Sequence, residues 1–447
     1  MSGSPIFRLS EEGIVAIALT FIDNSGVCRV KAVPLSALVT AAEHGVGASP
    51  CLDVFLGDDS IAAGTGLSVP DGDLRLIPDL TALRIIPGRP GWAWAPVDRY
   101  FQNGAAYPAC HRLLLADQIR RADRAGLQFT TGLEIEFRLF RATDADLEPA
   151  SSAQAYSVRQ LLDVGDFLTE LIPALEASGL EVAQFHPEAG PGQFEVSFAP
   201  QNPMATADGS VLARIGIRAV AARHDLLVSF SPMPVLDQSG NGGHVHLSAC
   251  DTDGNLFSGG AGPFGMREPG QQFIAGILDA LTPLTAIFNP VPVSYLRTVP
   301  SHWASAYATW GLESREAAIR LIAPPNPANG ESANIEIKSP DLAASPYLVL
   351  TTAIAAGMDG IHRGAVLGDP VQGDPGKLDG SEVAAEGIRR LPTNLDDATD
   401  SFRMSHLMAD TLGNTLFDAI IAVRRGEQTR TRRLSAAELV DHTRWLY

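Results

Sequence analysis

Gly132-Leu-Glu134-Ile-Glu136-Phe137 sets an acidic and an apolar side chain on alternate positions. Successive side chains of a strand point to opposite faces, so residues two apart share one. Glu134 and Glu136 therefore point together, opposite Leu133, Ile135 and Phe137. Three more segments alternate alike: Gln193-Phe-Glu195-Val-Ser197-Phe198, Gly243-His244-Val-His246-Leu247 and Asn334-Ile-Glu336-Ile-Lys338. One such segment alone is most simply a half-exposed strand with water on its polar face. Four of them, in a chain with only 19% charged residues, predict the wall of a metal-binding pocket.

The donor types narrow the metal. Glu134, Glu136, Glu188, Glu195 and Glu336 offer hard oxygens, and His244 adds one nitrogen. Carboxylate-rich sites suit magnesium or manganese, whereas zinc prefers imidazole and thiolate. Five carboxylates around one ion repel one another, so two or more divalent cations are expected, and a pair could clamp a polyphosphate. A second group is cationic: Arg297, Arg315, Arg320 and Lys338. Taken singly, each arginine is an ordinary surface ion-pair partner. Beside metals, their forks match carboxylate and phosphate oxygens two at a time, which suggests a nucleotide phosphate and an anionic co-substrate.

From about Phe21 to the C-terminus the chain resembles a type I glutamine synthetase or a relative in that family. Gly132 to Phe140 resembles the family's first metal strand, and His186-Pro-Glu-Ala-Gly-Pro-Gly-Gln-Phe-Glu195 its second metal motif. Gly240-Asn-Gly-Gly-His-Val-His-Leu-Ser248 resembles its glycine-rich loop and histidine strand. Asn289 to Pro300 resembles the substrate-arginine segment, and Ser314-Arg-Glu-Ala-Ala-Ile-Arg320 the phosphate-binding arginine pair. Asn334 to Asp341 with Ser345-Pro-Tyr-Leu348 resembles the closing strand.

The resemblance implies roles position by position. Glu136, Glu188 and Glu195 would hold one metal near glutamate. Glu134, His244 and Glu336 would hold the other near ATP. Arg297 would grip the α-carboxylate, with Gly240 and Ser239 in the loop that meets the amino acid. Arg315 and Arg320 would neutralise transferring phosphate oxygens, while His246, Ser248 and Asn334 lie toward the nucleotide. The implied reaction activates the glutamate γ-carboxylate as an acyl phosphate, which a nitrogen nucleophile then displaces. Phosphoryl transfer of this kind is mostly positioning and charge neutralisation.

The departures carry the specificity. The family has a glutamate shortly after its Arg-x-Val-Pro segment, which helps deprotonate ammonium; here Trp303 occupies that place. The family's Asp-Gly-Ser-Ser loop matches Leu56-Gly-Asp-Asp-Ser-Ile61, where Gly57 replaces the aspartate and Ser60 is kept. A shift of one residue would bring in Asp58 or Asp59, and His302 beside Trp303 is a candidate base. A tryptophan face suits the carbon skeleton of an amine or stacks on a cation. An organic amine is thus expected as nucleophile, giving a γ-glutamyl amide. Ammonia-dependent glutamine synthesis and a non-catalytic binding role are the alternatives. Lys338 replaces the family's usual arginine and loses the bidentate fork, which loosens the identity of the acid.

Composition sets bounds. The net charge is −18 and the pI about 4.9, which disfavours nucleic acid or an anionic membrane as partner. Met1 to Glu12 lacks the pattern of a signal peptide. Cys28, Cys51, Cys110 and Cys250 are widely spaced and fit reduced thiols in a cytoplasm.

Gly13 to Val33 reads as two strands around a turn at Asp23-Asn-Ser-Gly26. The Pro-, Gly- and Trp-rich stretch 77–108 shows no helical period and reads as a domain boundary. Helices are expected over 112–125, 159–178, 207–227, 273–288 and 346–361, with 368–382 a surface loop. The fold expected is α+β: a β-grasp-like domain over 1–107 and a catalytic domain with a curved antiparallel sheet over 108–447. By resemblance the subunits form a homododecamer of two stacked hexameric rings, with the loop near Ser60 completing a neighbour's site.

Overall fold

A computed structural model describes residues 9–69, 71–142, 147–324 and 330–447. Its strands fall into two sheets. The first is built from β1 (Ala16–Ile22), β2 (Cys28–Pro34), β3 (Val46–Ala48), β4 (Leu74–Pro78), β5 (Arg84–Ile85) and β6 (Trp92–Phe101), in the order β2-β1-β6-β4-β3 with β5 also on β6. β1 and β2 are the hairpin expected from the sequence. Asp23 closes its turn, its Oδ1 accepting from the backbone N–H of Ser25 and Val27. Gly26 has φ +84°, and a Cβ there would lie 1.9 Å from the Ala343 carbonyl oxygen. Only glycine lets the turn abut the larger domain this closely.

The stretch 77–108, read as a domain boundary, is not irregular. It contains β6, the spine of the first sheet, parallel to β1 and antiparallel to β4. Pro96 hid it from a sequence reading, because a proline demotes a strand. Here Pro96 is the last residue paired with β1, and β4 pairing starts at Val97 on the other edge.

Among the described residues the second sheet holds ten strands. They are β7 (Gln128–Ala142), β8 (Leu147–Pro149), β9 (Val182–Pro187), β10 (Gln193–Phe198), β11 (Leu227–Ser229), β12 (Val245–Asp251), β13 (Gly254–Asn255), β14 (Trp310–Leu312), β15 (Ile319–Ile322) and β16 (Asn334–Ile337). The order β14-β15-β16-β12-β7-β10-β9 is antiparallel except where β14 runs parallel to β15. β7 is long enough to pair with β12 through its first half and with β10 through its second. Its apolar residues Leu133, Ile135, Phe137 and Leu139 are buried on the core face. The curled sheet with helices behind it is an α+β architecture, as expected.

Helices back this sheet. The helix expected over 207–227 runs from Pro203 to Arg223, four residues earlier, because Asn202 caps the Ala205 N–H and Pro203 sits in the first turn. Glu268–Phe288 is long and apolar enough to cross a membrane, but it is largely buried, packed on Pro346–His362. The single helix expected over 159–178 is two, Val158–Asp163 and Gly165–Ala177, because Val164 leaves the helical region (φ −121°, ψ 21°). A β-branched residue followed by glycine is a weak point for helix continuation.

The loop 56–61 rests on the helix His406–Thr431. The Gly57 N–H donates to Glu427 Oε1 at 2.6 Å, and Val54, Leu56 and Ala62 pack on Ala419 and Val423. Arg29 reaches Asp59 at 2.8 Å.

Candidate active site

Strand register assembles the acids. Glu136 stands opposite Glu195 across β7 and β10, and Glu336 stands opposite both His246 and Arg320. His244 is one residue before β12, where its carbonyl accepts from the Glu134 N–H. The result is a cleft of about 1200 Å³ lined by Glu134, Glu136, Glu188, Glu195, His244 and Glu336.

The donors cluster in threes. Ligand atoms of Glu134, His244 and Glu336 lie within 4.8 Å of one another, as do those of Glu136, Glu195 and His244. Glu188 groups with Glu195 and with His186, a histidine the sequence reading quoted but gave no role. His244 Nδ1 lies 2.8 Å from Glu134 Oε2, and His246 Nε2 lies 2.9 Å from Glu134 Oε1. Burial penalises the Glu134 charge, but hydrogen bonds from both histidines hold its pKa far below the usual carboxylate range. Burial pushes Glu195 up to about 7, with the Glu134 and Glu136 charges adding to the rise. Burial and then Glu136 raise Glu188 as well. Carboxylates crowded and desolvated in this way lack positive charge. Hard divalent cations fit that deficit and the oxygen-rich donor set.

The cationic groups divide by what they already hold. Arg297 is buried, its guanidinium donating to the Ser339 and Lys338 carbonyls at 3.0 Å, with no carboxylate at ion-pair distance among the described residues. It offers an anion a preorganised charge with no direct ion-pair partner among the described residues. Lys338 Nζ lies 3.1 Å from Glu336 Oε1. Arg320 is paired with Glu336 and Glu313. Arg315 is exposed and makes no hydrogen bond among the described residues; its guanidinium carbon is 5.8 Å from the Trp303 ring centroid. Trp303 and His302 line the mouth of the cleft.

Ser239 and Gly240 line the same cleft. A Cβ on Gly240 would meet the Pro232 carbonyl oxygen at 2.5 Å and Arg297 Cγ at 2.8 Å, so this loop sits directly on the arginine. His246, Ser248 and Asn334 do not line the cleft. They form a chain beside it: His246 Nδ1 meets Asn334 Oδ1 at 3.0 Å, and the Ser248 hydroxyl donates to the Ala333 carbonyl. Ser60, Asp58 and Asp59 are absent from the cleft wall of their own chain.

Three residues escaped the sequence reading. Tyr156 lines the cleft and donates its hydroxyl to Glu188 Oε2 at 3.1 Å. An isolated tyrosine in a loop gives no periodic signal. Arg138 continues the Glu134–Glu136 face by two residues. It is fully buried, donating to Gln238 Oε1 at 2.7 Å and to the Ser239 carbonyl at 3.2 Å. A Cβ on Gly190 would lie 1.8 Å from its Nη2, so Arg138 bridges the 188–193 turn and the 238–240 loop. Glu316 lies behind Trp303, accepting from its backbone N–H at 2.9 Å.

A family model described as glutamine synthetase, catalytic domain, matches residues 108–440. The chain is 44% identical to gamma-glutamylpolyamine synthetase GlnA3 of Streptomyces coelicolor over 443 residues, covering 98% of this chain and 95% of that one. It is 32% identical to the glutamine synthetase of Halobacterium salinarum, covering 94% and 91%. A crystal structure of a glutamine synthase homologue superposes with TM-score 0.87 at 30% identity, covering 97% of this chain and 99% of that chain. A GmaS/ADP complex superposes with TM-score 0.82 at 28% identity, covering 97% of each. With its sheet, its convergent acids and these matches taken together, the chain belongs to the glutamine synthetase family and is a ligase.

Proposed function

We propose that the protein joins the γ-carboxylate of glutamate to an organic amine, releasing ADP and phosphate and giving a γ-glutamyl amide. ATP supplies the phosphoryl group that activates the carboxylate as γ-glutamyl phosphate. Two or more magnesium or manganese ions held by Glu134, Glu136, Glu188, Glu195, His244 and Glu336 would offset the phosphate charge. Arg297 binds the α-carboxylate, with Gly240 and Ser239 closing over the amino acid. Arg315 and Arg320 offset charge on the transferring group, and Lys338 steadies the reacting end. His246, Ser248 and Asn334 support the nucleotide side.

The observation that carries the choice of nucleophile is Trp303 at the mouth of the cleft, beside the exposed guanidinium of Arg315. An indole there offers an apolar wall to a carbon chain and no anion to gather ammonium. Polyamines are the amine class the 44% identical relative favours. A diamine's second ammonium needs a carboxylate partner, and the nearby Glu313 is already paired with Arg320. We place the enzyme in the cytoplasm, in keeping with four free thiols, and take its assembly to be the family's double hexameric ring.

The test is phosphate release from ATP with magnesium and glutamate across ammonium, ethanolamine, putrescine, spermidine, isopropylamine and aniline. Turnover with an organic amine well above ammonium is the expected result. Turnover mainly with ammonium would make the protein an ordinary glutamine synthetase. Silence with every amine would favour a non-catalytic role.

A further inference from the structure

The wall of the cleft at Trp303 is held in a costly backbone conformation. Ser301, Trp303 and Ser305 have φ of 62°, 55° and 59°. Left-handed conformations outside glycine are costly and persist only where the surroundings impose them. Ala304 and Ser305 are packed inside, but little packing holds Trp303 itself. Trp303 is 53% exposed, and the buried Ser305 hydroxyl has no hydrogen-bond partner among the described residues. His302 Nδ1 turns back onto the Pro300 carbonyl at 2.8 Å. Among the described residues, one hydrogen bond ties 301–305 to another segment: the Trp303 N–H donates to Glu316 Oε1 at 2.9 Å.

Glu316 is well placed to hold that bond. It is 8% exposed, and it follows Arg315, whose guanidinium lies by the Trp303 ring. One short segment thus grips both ends of the tryptophan, the amide through Glu316 and the indole through Arg315. A charged acceptor roughly doubles the strength of such a hydrogen bond, enough to offset one strained residue.

We propose that Glu316 is the positioning residue for amine selection: its carboxylate latches the Trp303 amide and fixes the indole as the wall against which the amine's carbon chain packs. The proposal rests on the γ-glutamyl amide reading given above. Without the latch the backbone relaxes, the indole leaves the wall, and the amine loses its apolar face. The acid subsite around Arg297 and Gly240 belongs to other segments and stays as it is.

Two variants and two readouts test this. Glu316→Ala removes the acceptor; Glu316→Gln keeps an oxygen that accepts. In Glu316→Ala the KM for the preferred organic amine should rise about tenfold, with the KM values for glutamate and ATP changing less than twofold. Glu316→Gln should stay within about threefold of wild type for every substrate. Hydrogen exchange should quicken over 301–305 in Glu316→Ala and not in Glu316→Gln. An unchanged amine KM in Glu316→Ala, an equal rise for glutamate, or unaltered exchange would each overturn the latch. If Glu316→Ala does not fold, Glu316→Asp, with a carboxylate one methylene short, must show the same selective rise in amine KM. Wild type that turns over ammonium alone would instead sink the parent reading, and the latch with it.

Discussion

Replacing Arg138 with methionine should separate stability from substrate binding. The side chain is fully buried, and no carboxylate pairs with it among the described residues. Burial pushes its pKa down to about 10. A base whose folded pKa is depressed destabilises the fold at every pH below that value, and the cost fades as pH rises beyond it. Against an ordinary arginine this amounts to about 3–4 kcal/mol at neutral pH. On the other side stand two hydrogen bonds from a charged donor, to Gln238 and to the Ser239 carbonyl, about 1.5–3 kcal/mol each. The two sides nearly cancel, so Arg138→Met should unfold within about 2 kcal/mol of wild type in urea. Function should not be spared. The 238–240 loop loses its tether, and Gly240 packs directly on Arg297. We expect the KM for glutamate to rise about tenfold or more, a loss of about 1.4 kcal/mol, with the KM for ATP nearly unchanged. A glutamate KM within twofold of wild type would refute the tether. Outright unfolding would refute the cancellation.

Other outcomes follow from the same geometry. Glu195 is pushed up to about 7 in the metal-free protein, and a metal needs it ionised, so magnesium affinity should fall about fivefold from pH 7 to 6; titration calorimetry showing equal affinity from pH 8 to 6 would contradict this. Trp303→Glu should raise kcat/KM for ammonium and lower it at least tenfold for the organic amine; unaltered amine kinetics would remove Trp303 from the amine site. Gly240→Ala must accommodate a Cβ 2.5 Å from the Pro232 carbonyl oxygen and 2.8 Å from Arg297 Cγ. Its glutamate KM should rise at least tenfold, and a normal value would show that the loop yields.

The acids were legible because strand alternation is a local property. Glu134 and Glu136 share a face whatever they pair with, and so do His244 and His246. Their partners were not legible, because register is decided between strands distant in sequence. The placement of Glu136 beside Glu195 emerges only from the pairing of β7 with β10. Arg138 lies on the same face as the two glutamates, yet its counterpart is a loop a hundred residues on. Glu316 was hidden in the same way, since nothing around it in sequence marks it as the partner of a backbone amide at Trp303. The strand Trp92–Phe101 was missed for a different reason. Its proline and alanines lower β-propensity, and burial in the centre of a sheet overrides that.

The hydrogen bond from Gly57 to Glu427 spans 370 positions of the chain. A ribosome makes the protein from one end, at roughly 5–20 residues per second. The 56–61 loop therefore waits on the order of tens of seconds after it emerges before its carboxylate anchor exists. During that interval the first sheet can form, because its strands all lie within the first hundred or so residues, and Arg29 on that sheet can hold Asp59, while the loop lacks its seat on the C-terminal helix. The finished shape of this loop thus reports that nearly the whole polypeptide has been synthesised and folded. Subunits cut short before Glu427 would present it unanchored.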